Sequence, residues 1–252
     1  MLELLHSEPN AASARVLIAL KEKGLEFESR YVDLLAFEQH APEFLALNPM
    51  GQTPVLVADG EVFTEASFIC EYLDEAFPGT PLLAKAPIDR WAARAWQKYV
   101  DDYLAAAVSD LAWPVLGLRA LKARNSAATL DAALERIPVK ERRDAWQAAV
   151  AEPEDGLLEK AHERIRLAVE KTEADLEGRD WLAPGGFSLA DIAVYAYLAY
   201  LPGIAPDLLG DRTAAWLKRV AARPAVKAAE TTGRSDDPYG VSAPGPEHIR
   251  WG

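Results

Sequence analysis

Over the first eighty residues, hydrophobic and polar positions have the period of a strand in some segments and the period of a helix in others. "LELLHS" is a short apolar run, and "LEFESRYVDL" alternates apolar with polar residues, as a half-buried strand does. Between them, "SARVLIALKEKG" has the spacing of a helix that ends at Gly24, a typical C-cap. The pattern predicts a β-α-β unit at the start of the chain.

A hairpin and a second helix follow this unit. In "TPVLVADGEVFTEAS", the pair Asp59-Gly60 predicts a tight turn between two strands. "SFICEYLDEAF" then predicts a helix that Pro78-Gly79 closes. The order β-α-β followed by β-β-α predicts an α/β domain over residues 1–80, with helices packed on a mixed four-stranded sheet.

Strand signals disappear after "FPGTPLLAKAP", so we expect a domain boundary near residues 79–87. The sequence is then helical and rich in Ala and Leu, which predicts an all-α domain over residues 88–230. A polar insert near residues 123–156 contains two predicted helices, separated at Ile137-Pro138. Gly and Pro are frequent in residues 231–252, which predicts an extended C-terminal tail.

Composition limits the classes of function. The 252 residues carry a formal net charge of −12, which argues against a nucleic-acid or anionic-membrane partner. Cys70 is the only cysteine, so intramolecular disulfides and clustered thiolate sites are excluded. The four histidines are scattered, and we expect no metal site. Neither a signal peptide nor a membrane span is expected, which is compatible with a cytoplasmic setting.

Pro54 stands where the pattern predicts the start of a strand. A cis proline there would turn the backbone groups of Val55 outward, where an extended peptide can pair with them. The alternative is a proline on an edge strand with no ligand.

Polar residues also stand at the predicted helix starts. Glu65-Ala66-Ser67 opens the second helix, whose free amides and partial positive charge suit a ligand carboxylate, while Glu65 suits an ammonium group. The local sequence alone favours Ser67 as an N-cap over this ligand-binding role. Ser13 lies at the start of the first helix, where it either caps the helix or donates a hydrogen bond to a thiolate. His6 and Asn10 are further candidates for that second role.

The order of these motifs resembles the cytosolic glutathione transferases. "NPMGQTPVL", "TEASFICEYLDEAFP" and "FSLADIAV" carry the resemblance, which spans nearly the whole chain. The S-x-x-D of the last motif, Ser188 to Asp191, predicts a capping box at a buried helix. The resemblance implies a thioredoxin-like N-terminal domain, an all-helical C-terminal domain and a homodimer. Within the family, "EKGLEFE", "FEQH", "ICEYL", "WQKYVDDY" and the insert around "IPVKERRDAWQ" resemble the bacterial enantioselective β-etherases of lignin catabolism.

The resemblance also implies roles for individual residues, with glutathione as co-substrate. Pro54 and Val55 would face the cysteinyl part of glutathione. Glu65 and the helix start at Ala66 and Ser67 would hold the γ-glutamyl group. The glycine carboxylate would be reached by three further residues, Gln39, His40 and Gln52. Ser13 would lie near the thiol. The family usually has serine at the position of Ala66, so the hydroxyl contact would have to come from Ser67 or be absent.

The resemblance implies an enzyme that attacks an aromatic substrate held between its two domains. For a β-etherase, the glutathione thiolate displaces a phenol from an α-keto β-aryl ether and leaves a β-glutathionyl ketone. The alternatives are general conjugation, dehalogenation or isomerisation of small aromatics, and a non-catalytic member of the family.

Overall fold

A computed structural model describes residues 1–7, 11–151, 153–232 and 245–246. Asn10 and nearly all of the predicted tail over residues 231–252 lie outside the described residues.

One mixed sheet lies at the start of the chain, as the alternation of polar and apolar residues predicts. Its strands are β1 (Leu2–His6), β2 (Glu28–Tyr31), β3 (Val55–Ala58) and β4 (Glu61–Phe63). The strand order is β2-β1-β3-β4. Strand β1 is parallel to β2 and antiparallel to β3, and β3 is antiparallel to β4. The predicted α/β fold class is therefore confirmed.

Helices cover the sheet and form most of the rest of the described chain. The α-helices are, in chain order, α1 (Ala11–Glu22), α2 (Pro42–Leu45), α3 (Ala66–Ala76), α4 (Pro87–Tyr99), α5 (Ala105–Ala112), α6 (Leu118–Arg124), α7 (Ala127–Glu135), α8 (Lys140–Val150), α9 (Leu157–Asp175), α10 (Leu189–Leu198), α11 (Leu201–Ile204), α12 (Asp211–Ala221) and α13 (Pro224–Glu230). The shorter helical segments are the 3₁₀ turns Leu34–Ala36, Glu38–His40 and Pro206–Leu208, and the π segments Val100–Leu104 and Trp113–Gly117. The domain bounds proposed from sequence stay a prediction.

Helices α4 to α6 and the two π segments form one continuous helical run, Pro87–Arg124. Among the described residues it is the one helix long and apolar enough to cross a membrane, with a mean hydropathy of 1.4 over its most apolar 18 residues. Half of that window is buried inside the protein. The core helix of a soluble protein can have the same length and hydropathy, so this helix is only weak evidence for a membrane span.

Two hydrophobic clusters organise the region around the site. The larger one joins β1, β3 and helices α1, α3, α4, α5, α9, α10 and α12. The second consists of Phe37, Trp113, Leu118, Leu121, Leu130, Ala133, Leu134, Ile137 and Trp146. Phe37 belongs to the loop after β2, and most of the other members belong to α6, α7 and α8. Helices α7 and α8, hereafter the α7–α8 insert, therefore pack against a loop of the N-terminal domain.

The predicted capping box at the start of α10 is confirmed. Asp191 accepts hydrogen bonds from the backbone N–H of Ser188 and Leu182, both at 3.0 Å, and from Trp216 Nε1 at 2.9 Å. Burial raises the pKa of Asp191, although these hydrogen bonds oppose the rise. Asp191 thus fixes the start of a completely buried helix and takes no part in the site described next.

Candidate functional site

The predicted site residues gather at one end of the sheet because of the strand order. His6 at the end of β1 pairs with Tyr31 at the end of β2, and Leu5 pairs with Val55 at the start of β3. The segments that continue from these strand ends are α1, the loop with Gln39 and His40, and, after β4, α3. One end of the sheet thus brings together loops and helix starts that are far apart in sequence.

Pro54 forms a cis peptide bond with Thr53, as expected. The edge-strand alternative does not fit, because β3 lies between β1 and β4. Strand β4 ends at Phe63, which pairs with Leu56, so no residue of β4 is opposite Val55. One backbone edge of Val55 therefore faces no residue of β4. An extended peptide can pair with that edge as a short added strand.

Glu65 adopts a rare backbone conformation at the start of α3, with φ of 67° and ψ of 108°. Residues other than glycine reach a positive φ at a cost in energy, and such positions are common at ligand sites. The Glu65 side chain is exposed and makes no capping hydrogen bond to α3. The first turn of α3 therefore has no side-chain cap from Glu65, and its amides suit an anion.

The side chain of Ser67 is held by a partly buried ion pair between Arg15 and Asp101. Its Oγ accepts a hydrogen bond from Arg15 Nη2 at 2.5 Å and donates one to Asp101. Arg15 Nη1 donates to Asp101 Oδ1 at 2.6 Å. The hydroxyl proton of Ser67 thus points to Asp101, and the proposed contact of the α3 start with a carboxylate would come from the backbone amides.

Ser13 lies in the first turn of α1, as predicted, and its residue surface is completely buried. Its Oγ accepts a hydrogen bond from the backbone N–H of Ser7 at 3.2 Å, which ties α1 to the end of β1. Of the two other thiolate candidates, His6 is buried with Nε2 2.7 Å from Ser29 Oγ, and Asn10 is outside the described residues. The catalytic role of Ser13 stays a prediction.

Gln39 and His40 lie on a short 3₁₀ turn in the loop after β2. Phe37, just before this turn, has φ of 60°, an unusual value for a bulky residue, and its ring packs 5.1 Å from that of Trp146. Gly51 approaches the loop from the other side, and a Cβ at its position would lie 2.6 Å from His40 Nδ1. The segment is therefore fixed by contacts on both sides.

His40 is uncharged at neutral pH in this environment. Burial lowers its pKa to about 4, and the positive charge of Arg142 on α8 adds to that effect. Arg142 itself is 1% exposed. Gln52, the third residue predicted for this subsite, is partly buried. Its backbone carbonyl accepts a hydrogen bond from Asn48 Nδ2 at 2.8 Å.

Cys70, the one cysteine of the sequence, does not have the environment of a nucleophile. Burial raises the pKa of its thiol to about 12, and Sγ lies 3.6 Å from the carbonyl oxygen of Arg15. Among the described residues, no three His, Cys, Asp or Glu side chains come together as metal ligands.

Sequence reasoning missed three charged residues, Arg15, Asp101 and Arg142. Arg15 left the clearest signal, because it stands inside the apolar run "SARVLIAL" on a helix that is mostly buried. Asp101 and Arg142 stand in polar stretches that look like ordinary exposed helix faces.

The aromatic residues of the helical domain have mixed roles. Trp113 and Trp146 are buried in the second hydrophobic cluster. This agrees with the expectation that a tryptophan in a helix is usually part of the core. Tyr103 is only partly buried, 5.2 Å from the ring of Tyr99 and 4.9 Å from the guanidinium of Arg164.

The sequence matches two family descriptions. "Glutathione S-transferase, N-terminal domain" covers residues 11–76, and "Glutathione S-transferase, C-terminal domain" covers residues 105–224. The gap between the two matches includes the predicted boundary region.

Individual proteins of known name resemble the chain over most of its length. Protein LigF of Sphingobium sp. (strain NBRC 103272 / SYK-6) is 36% identical over 236 residues, which cover 90% of this chain and 91% of LigF. Glutathione S-transferase F10 of Arabidopsis thaliana is 27% identical over 86% of this chain and 91% of its own.

Two solved structures also resemble this chain over most of its length. The crystal structure of the β-etherase LigF from Sphingobium sp. strain SYK-6 superposes with a TM-score of 0.86 and 34% identity, over 92% of this chain and 99% of that one. Glutathione transferase F7 from Populus trichocarpa shares the fold, with a TM-score of 0.72 and 24% identity over 92% of this chain and 98% of its own.

Proposed function

This chain belongs to the glutathione S-transferase family, with glutathione as its co-substrate, and we propose that it is a β-etherase. The observation that carries the proposal is the similarity to β-etherase LigF, which extends over nine-tenths of both sequences and almost the whole LigF structure. The substrate proposed is an α-keto β-aryl ether.

In the proposed complex, glutathione lies across the end of the sheet. Its cysteinyl part pairs with the backbone of Val55, in the position that the cis bond before Pro54 presents. The amides of Ala66 and Ser67 receive the γ-glutamyl carboxylate, and Glu65 receives the ammonium group. The glycine end extends toward Gln39, His40 and Gln52.

The thiol of glutathione would lie over the start of α1, beside Ser13. A helix N-terminus favours the thiolate, because its partial positive charge stabilises the anion. Since that thiolate is itself the nucleophile, the protein supplies activation and alignment.

The proposed reaction is a displacement at the β-carbon of the ether. The thiolate sulfur forms a bond to that carbon as the bond from the carbon to the aryl oxygen breaks. The electron pair leaves with the oxygen as phenolate, which takes a proton from water. Attack from the side opposite the leaving group inverts the configuration of the β-carbon. Selectivity for one enantiomer comes from alignment, because the site presents that side of only one enantiomer to the fixed thiolate.

Product analysis tests this reaction against general conjugation, dehalogenation and isomerisation. We expect glutathione and an α-keto β-aryl ether to give phenol and β-glutathionyl ketone in equal amounts, measured by liquid chromatography with mass spectrometry. Turnover of only halogenated or isomerisable aromatics would refute the etherase and keep the transferase. Absence of any turnover with a wide panel would favour a non-catalytic protein.

We further propose a cytoplasmic homodimer that uses α3 and α4. Three of the large apolar side chains exposed in the described residues lie there, with Phe68 72% exposed, Ile88 69% and Trp91 66%. Exposed apolar groups of this size favour an interface. Light scattering after size-exclusion chromatography tests the dimer, and Trp91→Glu is expected to give monomers. The cytoplasm is a reducing compartment that keeps glutathione as the thiol.

A further inference from the structure

Two residues from the C-terminal part of the chain are buried against the helical run Pro87–Arg124. They are Gly245 and Pro246, which both have buried surfaces. The hydroxyl of Ser109, a residue of α5 that is 2% exposed, donates a hydrogen bond of 2.8 Å to the carbonyl oxygen of Gly245. The bond spans 136 positions of sequence and fixes Gly245 to the helical domain.

The helix itself does not need this bond. A buried hydroxyl within an α-helix can donate to a carbonyl of the preceding turn, as Thr172 on α9 does to Ala168 at 2.8 Å. The bond from Ser109 therefore serves mainly to hold Gly245 in place. Pro246 follows directly, and its ring fixes its own φ, so the held pair is a stiff element with an apolar ring.

Ser109 lies between the two ends of the proposed glutathione site. Asp101, eight residues before it, accepts a hydrogen bond from Ser67 at the γ-glutamyl end. Trp113, four residues after it, packs in the second hydrophobic cluster with Phe37, beside the loop at the glycine end. At a rise of about 1.5 Å per residue, Ser109 lies about 12 Å along the run from Asp101 and about 6 Å from Trp113.

The same three residues share one side of the run, because positions four apart on a helix lie nearly above one another. The side chains of Asp101 and Trp113 both contact the N-terminal domain. Ser109, and Gly245 with it, therefore faces that domain near the middle of the site. Cysteine is the middle residue of glutathione, so in the proposed complex the thiol, and an aromatic group bonded to it, lie at this level.

We propose that Gly245 and Pro246, held by Ser109, form one wall of the pocket for the aromatic group of the substrate. This inference rests on the proposed function and adds to it. The Gly245 carbonyl is bound by Ser109, so the surface left for the substrate is the glycine methylene and the proline ring. Such an apolar surface suits an aryl ring and excludes water from it. The wall is therefore needed for aryl ligands and not for glutathione alone.

Calorimetry with two thioethers of glutathione tests this inference. S-methylglutathione fills the glutathione site alone, whereas S-phenacylglutathione adds the aryl ketone of the proposed product. The variants are Ser109→Ala and Pro246→Gly. The matched control is Thr172→Val, which removes a buried hydroxyl with a hydrogen bond of the same length from α9, the helix that packs on α5.

We expect the wild type and Thr172→Val to bind S-phenacylglutathione roughly tenfold more tightly than S-methylglutathione, because the aryl ring is buried. In Ser109→Ala and Pro246→Gly, that advantage should fall by about fivefold, since the wall is loosened or loses its ring. The affinity for S-methylglutathione should stay the same in all four proteins.

An undiminished advantage in either variant would overturn the inference. An equal loss of affinity for both ligands, or the same loss of advantage in Thr172→Val, would show a purely structural role and overturn it too. If circular dichroism shows that Ser109→Ala does not fold, Pro246→Gly decides alone, because it leaves the helix unchanged. A wild type that binds neither ligand refutes the proposed function itself, whereas normal wild-type binding with unaffected variants refutes only the wall.

Discussion

Arg15 on the first helix donates a hydrogen bond to Asp101 of the helical domain at 2.6 Å, across 86 positions of sequence. Ser67 at the start of α3 contacts both of them. Burial alone would lower the pKa of Arg15, but the charge and hydrogen bond of Asp101, together with Tyr197 and Cys70, outweigh that effect and the pKa is raised. The start of the proposed γ-glutamyl subsite is thus joined to the interface between the two domains.

Removal of Arg15 should therefore destabilise the protein strongly. The Arg15 side chain is 3% exposed, and Arg15→Met leaves Asp101 without its countercharge and Ser67 without its donor. Breaking a buried pair costs about 3–5 kcal/mol, and the partial exposure of Asp101 places the expected loss near the lower end. Urea unfolding followed by circular dichroism measures it.

Arg94→Met is the matched control for that experiment. Arg94 on α4 pairs with Glu71 on α3 at 2.7 Å, but its side chain is 45% exposed. Exposed pairs contribute about 0–1 kcal/mol. Equal losses in the two variants would contradict the structural role assigned to Arg15.

Gly51→Ala should damage the glycine end of the site. The new Cβ would lie 2.6 Å from His40 Nδ1, and the φ of 63° adds strain for any residue but glycine. We expect a loss of about 1–3 kcal/mol in stability, together with weaker glutathione binding.

Gly60→Ala separates the effect of the backbone strain from that of the steric clash. Gly60 has φ of 89° in the β3–β4 hairpin, and a Cβ there meets nothing within 4 Å. It should therefore show the backbone strain without the clash, and it should leave glutathione affinity unchanged. A Gly51→Ala protein that behaves like Gly60→Ala in both measurements would refute the close contact with His40.

Stability should depend on the protonation of His40 between pH 4 and 7. The folded pKa of about 4 lies below the ordinary 6.5, so the unfolded chain takes up a proton first as the pH falls. The stabilisation is complete above pH 6.5 and is lost as the pH falls toward 4. This amounts to up to about 3 kcal/mol.

Urea titrations of the wild type and His40→Asn over this range isolate the effect, because the carboxylates titrate in both. The difference in free energy of unfolding should increase, in favour of the wild type, from pH 4 to pH 7. Parallel curves would mean that His40 is not buried as a neutral group.

Ala66→Ser should strengthen glutathione binding. Ala66 is the first residue of α3, at the position where the family usually has serine, and the Ser67 hydroxyl is already used by Arg15 and Asp101. A new hydroxyl donating to the γ-glutamyl carboxylate is worth about 1.5 kcal/mol, or roughly tenfold in affinity. Unchanged affinity in calorimetry would place the carboxylate elsewhere.

Local features of the fold were accessible from the sequence. A proline before a strand, an Asp-Gly hairpin turn and an S-x-x-D capping box each leave a signal within a few residues. The structure has all three, with the cis bond at Pro54, positive φ at Asp59 and Gly60, and the capping box at Ser188. The order of these signals was enough to predict the mixed sheet and the helical domain.

Long-range electrostatic pairs were not accessible in the same way. Arg15 meets Asp101 only because α1 packs against the π segment Val100–Leu104. The charge of Arg142 lowers the pKa of His40 only because α8 lies on the loop after β2. In the sequence, Arg142 is one charge among several in "KERRDAWQ". Which of these charges is buried depends on the rotation of α8 about its axis, and the packing of Trp146 against Phe37 sets that rotation.

The most direct test of the central claim uses a racemic α-keto β-aryl ether with a fluorescent phenol as its leaving group. The purified protein and glutathione are added, phenol release is followed by fluorescence, and residual substrate is separated by chiral chromatography. We predict release that requires glutathione, stops near half conversion and leaves one enantiomer intact. No release from a protein that still binds glutathione, or equal consumption of both enantiomers, would contradict an enantioselective β-etherase.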